Sequence, residues 1–211
     1  MRMLMISMFL LAVASCFSTV EATVFTNEAN FLSSAGSVSL ESFETQPANP
    51  PHSTPSISSI VSGPLTIATS TATVDLAIFN QAATSGHATH GANYLVWSAQ
   101  TPSSGITFTF SKALSVFGVN IVDFGYPTHS TPLTFSTSAG DNGVAAVAPN
   151  PADNEQFFGI IGAPFTSITF SRTALTDGIV FDELYYRAVP EPGSVALAGF
   201  AVAALAALRR R

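Results

Sequence analysis

Two carboxylates stand side by side at Asp182 and Glu183, inside the otherwise apolar closing segment Asp-Gly-Ile-Val-Phe-Asp-Glu-Leu-Tyr-Tyr (Asp177 to Tyr186). On a strand of period two, Asp182 shares a face with Val180, Leu184 and Tyr186, and Glu183 falls with Ile179, Phe181 and Tyr185. One of the pair is therefore drawn against an apolar face, where a carboxylate needs a partner. The available partners are backbone amides, an arginine such as Arg172, or a hard divalent cation held by oxygen ligands. A structural calcium ion would use Asp182 with Glu44, or with Glu41, if the first and last strands pair; the plain alternative is a solvated edge pair.

Other chemistry-bearing residues are sparse. His87 and His90 lie in a glycine-rich turn from Gly86 to Gly91 and lack the intervening glutamate and third ligand of a zinc site, so they read as loop histidines. Tyr94 and Trp97 fall on opposite faces of one strand, so one is core and the other is presented outward, where it could stack on a sugar ring. Glycan hydrolysis would require two carboxylates across a cleft, which spacing alone does not reveal. There is no Gly-x-Ser-x-Gly elbow and no phosphate-cradling glycine loop, and the single cysteine, Cys16, lies in the leader. The chain reads as a non-catalytic protein, with a carboxylate-dependent glycan hydrolase as the minor alternative.

The elements that must position these residues follow from composition. Of 211 residues, 47% are apolar and only 9% charged, with 17 Phe. An average soluble domain carries about 25% charged residues, and the excess of Thr, Val, Ile and Phe disfavours helical bundles and favours strands with a Ser/Thr face. Between residues 23 and 188, eleven acids face three bases, Lys112, Arg172 and Arg187. Nothing there could neutralise a run of phosphates, so nucleic acid is excluded as a partner.

The two ends read as addresses. Residues 1–22 carry Arg2, then an apolar stretch too short to span a bilayer, then Val20-Glu21-Ala22, with small or β-branched residues where signal peptidase needs them for a cut after Ala22. This leader implies export through the Sec translocon. Val13-Ala14-Ser15-Cys16 also resembles a lipobox, which would make Cys16 a lipidated first residue. At residues 189–211, Pro190-Glu191-Pro192 precedes an uncharged run from Val195 to Leu208 and then Arg209-Arg210-Arg211. A helix over that run is about 21 Å long at 1.5 Å per residue, shorter than the roughly 30 Å hydrocarbon core. The arginines stay cytoplasmic by the positive-inside rule, so the body faces outward.

This tripartite tail resembles the PEP-CTERM sorting signal of Gram-negative bacteria, in which a Pro-Glu-Pro motif, an apolar helix and a basic cluster are recognised by a membrane-embedded exosortase. The resemblance implies passage through the inner membrane, cleavage near Pro190, Glu191 and Pro192, and delivery to the cell surface or extracellular polysaccharide matrix. It implies nothing about the body, because sorting signals are attached to unrelated domains.

Residues 23–188 read as one β domain. A short helix is expected from Asn27, capped by Thr26 or Asn27 and ended by Gly36. Beyond it, Ile106/Phe108/Phe110, Phe117/Val119/Ile121 and Ile168/Phe170 alternate with polar or small residues, as half-buried antiparallel strands do. Further strands are expected at Ser37 to Phe43, Gly63 to Thr69, Val74 to Phe79, Tyr94 to Trp97, Leu133 to Thr137, Phe157 to Ile161 and Ile179 to Tyr186. Thr45 to Ile57 and Asp141 to Asn154 read as long loops. Eight to ten such strands predict an antiparallel β-sandwich of jelly-roll type, flanked by a signal helix and a short apolar C-terminal helix. The segments Ser39 to Glu44, Gly105 to Phe110, Phe117 to Ile121 and Asp177 to Tyr186 together resemble galactose-binding-like and carbohydrate-binding jelly rolls. That likeness implies a sandwich that can hold a structural calcium ion, and no catalytic residues. The functional expectation is an exported structural or adhesive surface protein, with a carbohydrate-binding module acting on exopolysaccharide as the alternative.

Overall fold

The computed structural model describes residues 21–48, 57–70, 75–81, 87–99, 104–124, 131–147, 155–172 and 177–190. Cys16, the leader up to residue 20, and the tail from Glu191 to Arg211 lie outside them. Ahead of the helix comes β1 (Thr23–Phe25), and α1 (Glu28–Ala35) follows it. The side chain of Asn27 caps α1 by accepting the Asn30 N–H at 3.0 Å, and Gly36, at a φ of 68°, closes it. Then come β2 (Ser39–Glu41), β3 (Ser59–Ser62), β4 (Leu65–Thr69), β5 (Asp75–Asn80), β6 (Asn93–Ala99), β7 (Gly105–Val122), β8 (Leu133–Thr137), β9 (Asn142–Ala146), β10 (Glu155–Ser171) and β11 (Asp177–Ala188). All pairings between these strands are antiparallel.

Two long strands make the sandwich. The first part of β7, 105–110, lies between β4 and the last part of β10, whose other side carries β8 and then β9. The second part of β7, 114–122, lies between β11 and the first part of β10, with β6 and β5 beyond β11 and β1 on β10. Both strands pass from one layer to the other at a corner, where the register slips between Ile161, Phe165 and Ser167. A slip of this kind marks bulges, which bend a strand sharply. The layers face each other through aromatic rings. Phe108 meets Phe117 at 5.8 Å and Phe181 at 5.5 Å, and Phe170 meets Phe181 at 5.5 Å.

The outer face of the second layer is covered as well. Phe31 of α1 packs on Phe157 and Tyr185, seated over Gly118 and Gly159, where an added Cβ would lie 2.8 and 2.5 Å from its ring. Any side chain at those two positions would lift the helix off the sheet.

The structure corrects several expectations. The periodic stretches at 105–110 and 117–121 form one strand, as do 157–161 and 168–170. Part of the expected loop from Asp141 to Asn154 is β9, and β1 and β3 were not anticipated.

Candidate functional site

Asp182 sits at a register break. In β11 the pairing with β7 shifts between Asp182 and Tyr185, and Glu183 takes a φ of 48°. The extra residue inverts the face assignment expected from strict alternation. Ile179, Phe181, Leu184 and Tyr186 all turn to the main core, whereas Val180 and Tyr185 join the two smaller outer clusters.

Asp182 is fully buried on that outer side. Its carboxylate accepts the Thr89 N–H at 2.8 Å, the Thr89 hydroxyl at 3.2 Å, the His90 N–H at 2.9 Å and the Glu183 N–H at 2.8 Å. Burial pushes its pKa above the ordinary aspartate value, and these hydrogen bonds oppose the rise.

Glu44 serves the other half of the same loop. It accepts the Ala92 N–H at 2.8 Å and the Asn93 N–H at 2.6 Å. Just before them, Gly91 has a φ of +66° and lies so close that a Cβ there would meet the Glu44 carboxylate at 2.5 Å. Asn93 completes the knot, donating to the Gln46 carbonyl at 3.2 Å and accepting from Asn80 at 2.7 Å. The effect is mechanical. β6 and β2 both pair with the same edge of β11, one at 177–181 and the other at 184–186, and the loop 87–92 and segment 41–46 fill the gap between them.

At Glu44 and Asp182, the two residues of the calcium expectation, the structure places backbone amide donors. Both oxygens of Asp182 and Oε1 of Glu44 accept N–H groups. Glu41 is likewise spent, accepting the Phe43 N–H at 2.7 Å and the Ser62 hydroxyl. Of the partners open to Asp182, the structure uses backbone amides. No three His, Cys, Asp or Glu side chains converge as metal ligands among the described residues. His87 packs edge-on against Tyr94 at 6.0 Å, and His90 contributes its backbone N–H to Asp182.

Tyr94 and Trp97 do lie on opposite faces, but the outward presentation expected for one of them is corrected. Trp97 is 0% exposed in the main core. Tyr94, 1% exposed, is roofed on the outer side by Phe79, at 6.2 Å, and by Ala88. The covering loop, not a sugar, occupies its face.

Two features were not anticipated from sequence. An acidic group surrounds Tyr185, whose hydroxyl is 2.5 Å from Glu28 and 3.1 Å from Glu183. Glu155 is nearby, and its pKa is raised by burial first and then by Glu28, Glu183 and Asp182. The second feature is an open groove of about 300 Å³ between β9 and β10, lined by Val144, Val147, Glu155, Gln156 and Phe157 among others. Gln156 acts there as a one-residue strand, accepting the Val147 N–H and donating to its carbonyl, each at 3.0 Å. Its sequence signal was too slight to find, being a lone glutamine after an Asn/Pro-rich stretch.

The end of the fold leads directly into the tail. The Val189 N–H donates to the Ala113 carbonyl at 2.8 Å, so the ladder stops one residue before Pro190. Residues 188–211 match the PEP-CTERM protein-sorting motif. That motif marks exported proteins for sorting to the cell surface, and here it begins at the last residue of β11. No curated protein matches the chain in sequence. Among solved structures, the K2 cleaved adhesin domain of Lys-gingipain is similar at 13% identity and a TM-score of 0.45, over 72% of this chain and 98% of that one. A family 11 carbohydrate-binding module from Clostridium thermocellum, solved with a β-1,3-1,4-mixed-linked tetrasaccharide, is similar at 13% identity and a TM-score of 0.36, over 61% of this chain and 91% of that one. The sandwich assignment itself rests on the strand register given above.

Proposed function

We propose that this chain is an exported, non-catalytic surface or matrix protein, carried to its destination by the PEP-CTERM tail and serving there as a structural or adhesive domain. The observation that carries the reading is the junction of fold and signal: the sorting motif starts where the last strand ends. An exosortase-type enzyme cutting near Pro190 would release an intact sandwich. A non-catalytic role is supported by Asp182 and Glu44, whose carboxylates are committed to backbone amides at residues 89–93.

C-terminal peptide mass spectrometry of the protein from its native host, with membrane, surface-washed and medium fractions separated, tests this reading. A chain ending near Pro190 in the surface or medium fraction is expected; a chain ending only at Arg211 in the membrane overturns it. The competing reading, a carbohydrate-binding module that takes exopolysaccharide, finds support in the groove beside Gln156, where amide and carboxylate groups adjoin exposed valines. Retardation on a polysaccharide affinity gel, abolished by Gln156→Ala, would favour it over a purely structural role.

A further inference from the structure

The strand register places the described residues that adjoin the two membrane addresses at one end of the sheet. Thr23 pairs with Ile161, Ile161 with Val116, and Val116 with Arg187. The residue that follows the expected leader and a residue just before the tail thus lie on one row of the sheet, three strands apart, or about 14 Å at roughly 4.8 Å per step. The directions agree as well. β1 runs away from this end as the chain enters, and β11 runs toward it as the chain leaves, with Ala188 opposite Leu114. Ala22 packs at the same corner, where a Cβ on Gly162 would meet it at 2.9 Å.

Linker length makes this placement consequential. Only five residues, Pro190 to Ser194, separate Val189 from the apolar run, and they reach at most about 18 Å. The second part of β7, Leu114 to Val122, is about 26 Å long at roughly 3.3 Å per residue. A tail that left the opposite end could not bring the Leu114 end to the bilayer, and the leader would then have to cross the whole layer to reach the same membrane.

Charge is divided the same way. The exposed bases Lys112 and Arg187 lie at the Leu114 end, offset by Glu21 and by Asp141 in the β8–β9 turn. At the other end the register gathers Asp123 and Glu155, and the base Arg172 is buried. Anionic headgroups repel the second end more than the first.

We propose that, before leader and tail are cut, the Leu114 end is a membrane-facing pole, held against phospholipid headgroups by the two segments together, so that the body folds as a loop closed at the bilayer and presents its acidic end outward. This inference rests on the export reading and adds the orientation and the lipid surface as partner.

The test uses the full chain carrying Cys16→Ser, incorporated into nanodiscs of phosphatidylethanolamine and phosphatidylglycerol doped with a nickel-chelating lipid. A spin label is placed at Ser111→Cys or Lys112→Cys at the pole, or at Val147→Cys, a 62% exposed position at the far end. Relaxation enhancement by the nickel lipid should be several-fold greater at residues 111 and 112 than at 147, in variants whose melting temperatures match the Cys16→Ser parent. Equal or reversed enhancement in disc-bound protein overturns the orientation and leaves the export reading standing. Failure of the chain to co-elute with the discs likewise overturns the membrane-facing pole, whereas the export reading falls only on the C-terminal mass spectrometry above.

Discussion

Asp182 accepts both the backbone N–H and the hydroxyl of Thr89, at 2.8 and 3.2 Å, across 93 residues of sequence. This contact joins the closing strand to the loop that roofs its outer face. Asp182→Asn exchanges one acceptor for a donor among four donors, at an expected cost of about 1–3 kcal/mol. Asp182→Ala should cost at least as much, because it leaves the N–H groups buried without an acceptor. Urea unfolding with an unchanged m-value measures the loss. A change below about 0.5 kcal/mol, the range of ordinary surface substitutions, would show that the loop does not depend on this carboxylate.

Gly91 and Glu44 form the second stitch, and they should be coupled. Gly91→Ala forces an L-residue to a φ of +66° and drives its Cβ to 2.5 Å from the Glu44 carboxylate. Backbone strain alone costs about 1–3 kcal/mol. Glu44→Ala removes the steric part, so Gly91→Ala should be tolerated better by about 1 kcal/mol in that background. Strict additivity in a double-mutant cycle would refute the close approach.

The sequence disclosed elements better than their connections. Alternation at Ile106/Phe108/Phe110 and at Phe117/Val119/Ile121 marks strand, because every second side chain enters the core. The intervening Ser111-Lys112-Ala113 looks like a turn, because polar residues break the pattern. In the fold it is the corner of one continuous strand, a consequence of sandwich closure that local pattern does not encode. The Asn27 cap and Gly36 stop of α1 were legible because capping is local chemistry. The bulge at Asp182 was not, and one inserted residue was enough to reassign Leu184 and Tyr186 to the core face. Pairing of the first and last strands was open to a sequence reading, but the register that sets Glu41 opposite Leu184 was not, since register is set by the whole sheet.

Trp97 should behave as a core residue. It is 0% exposed beside Leu95, Ile179 and the phenylalanines of the main cluster. Trp97→Ala should destabilise the body by about 3–5 kcal/mol, whereas the milder Trp97→Phe should fold and migrate on a polysaccharide affinity gel as the parent does. Lost retardation in a stably folded Trp97→Phe protein would instead make the indole a ligand contact and contradict its burial.

Acid should stabilise the body before it harms it. Asp182 and Glu155 both have raised pKa values, caused first by burial, and for Glu155 then by Glu28, Glu183 and Asp182. The folded chain therefore binds their protons more tightly than the unfolded chain does, where carboxylates titrate near about 3.9–4.3. Their contribution is greatest below that range and is lost as pH rises through the higher folded values. The melting temperature should thus increase as pH is lowered from 7 toward about 5, the opposite of a protein held by salt-bridged carboxylates. Glu155→Gln isolates the acidic group around Tyr185: it removes a charge that is repelled by three neighbours, so it should raise the melting temperature at pH 7 and flatten the pH slope. A Glu155→Gln variant with the parental slope and no gain at neutral pH would show that the group at 28, 155 and 183 is fully screened by solvent.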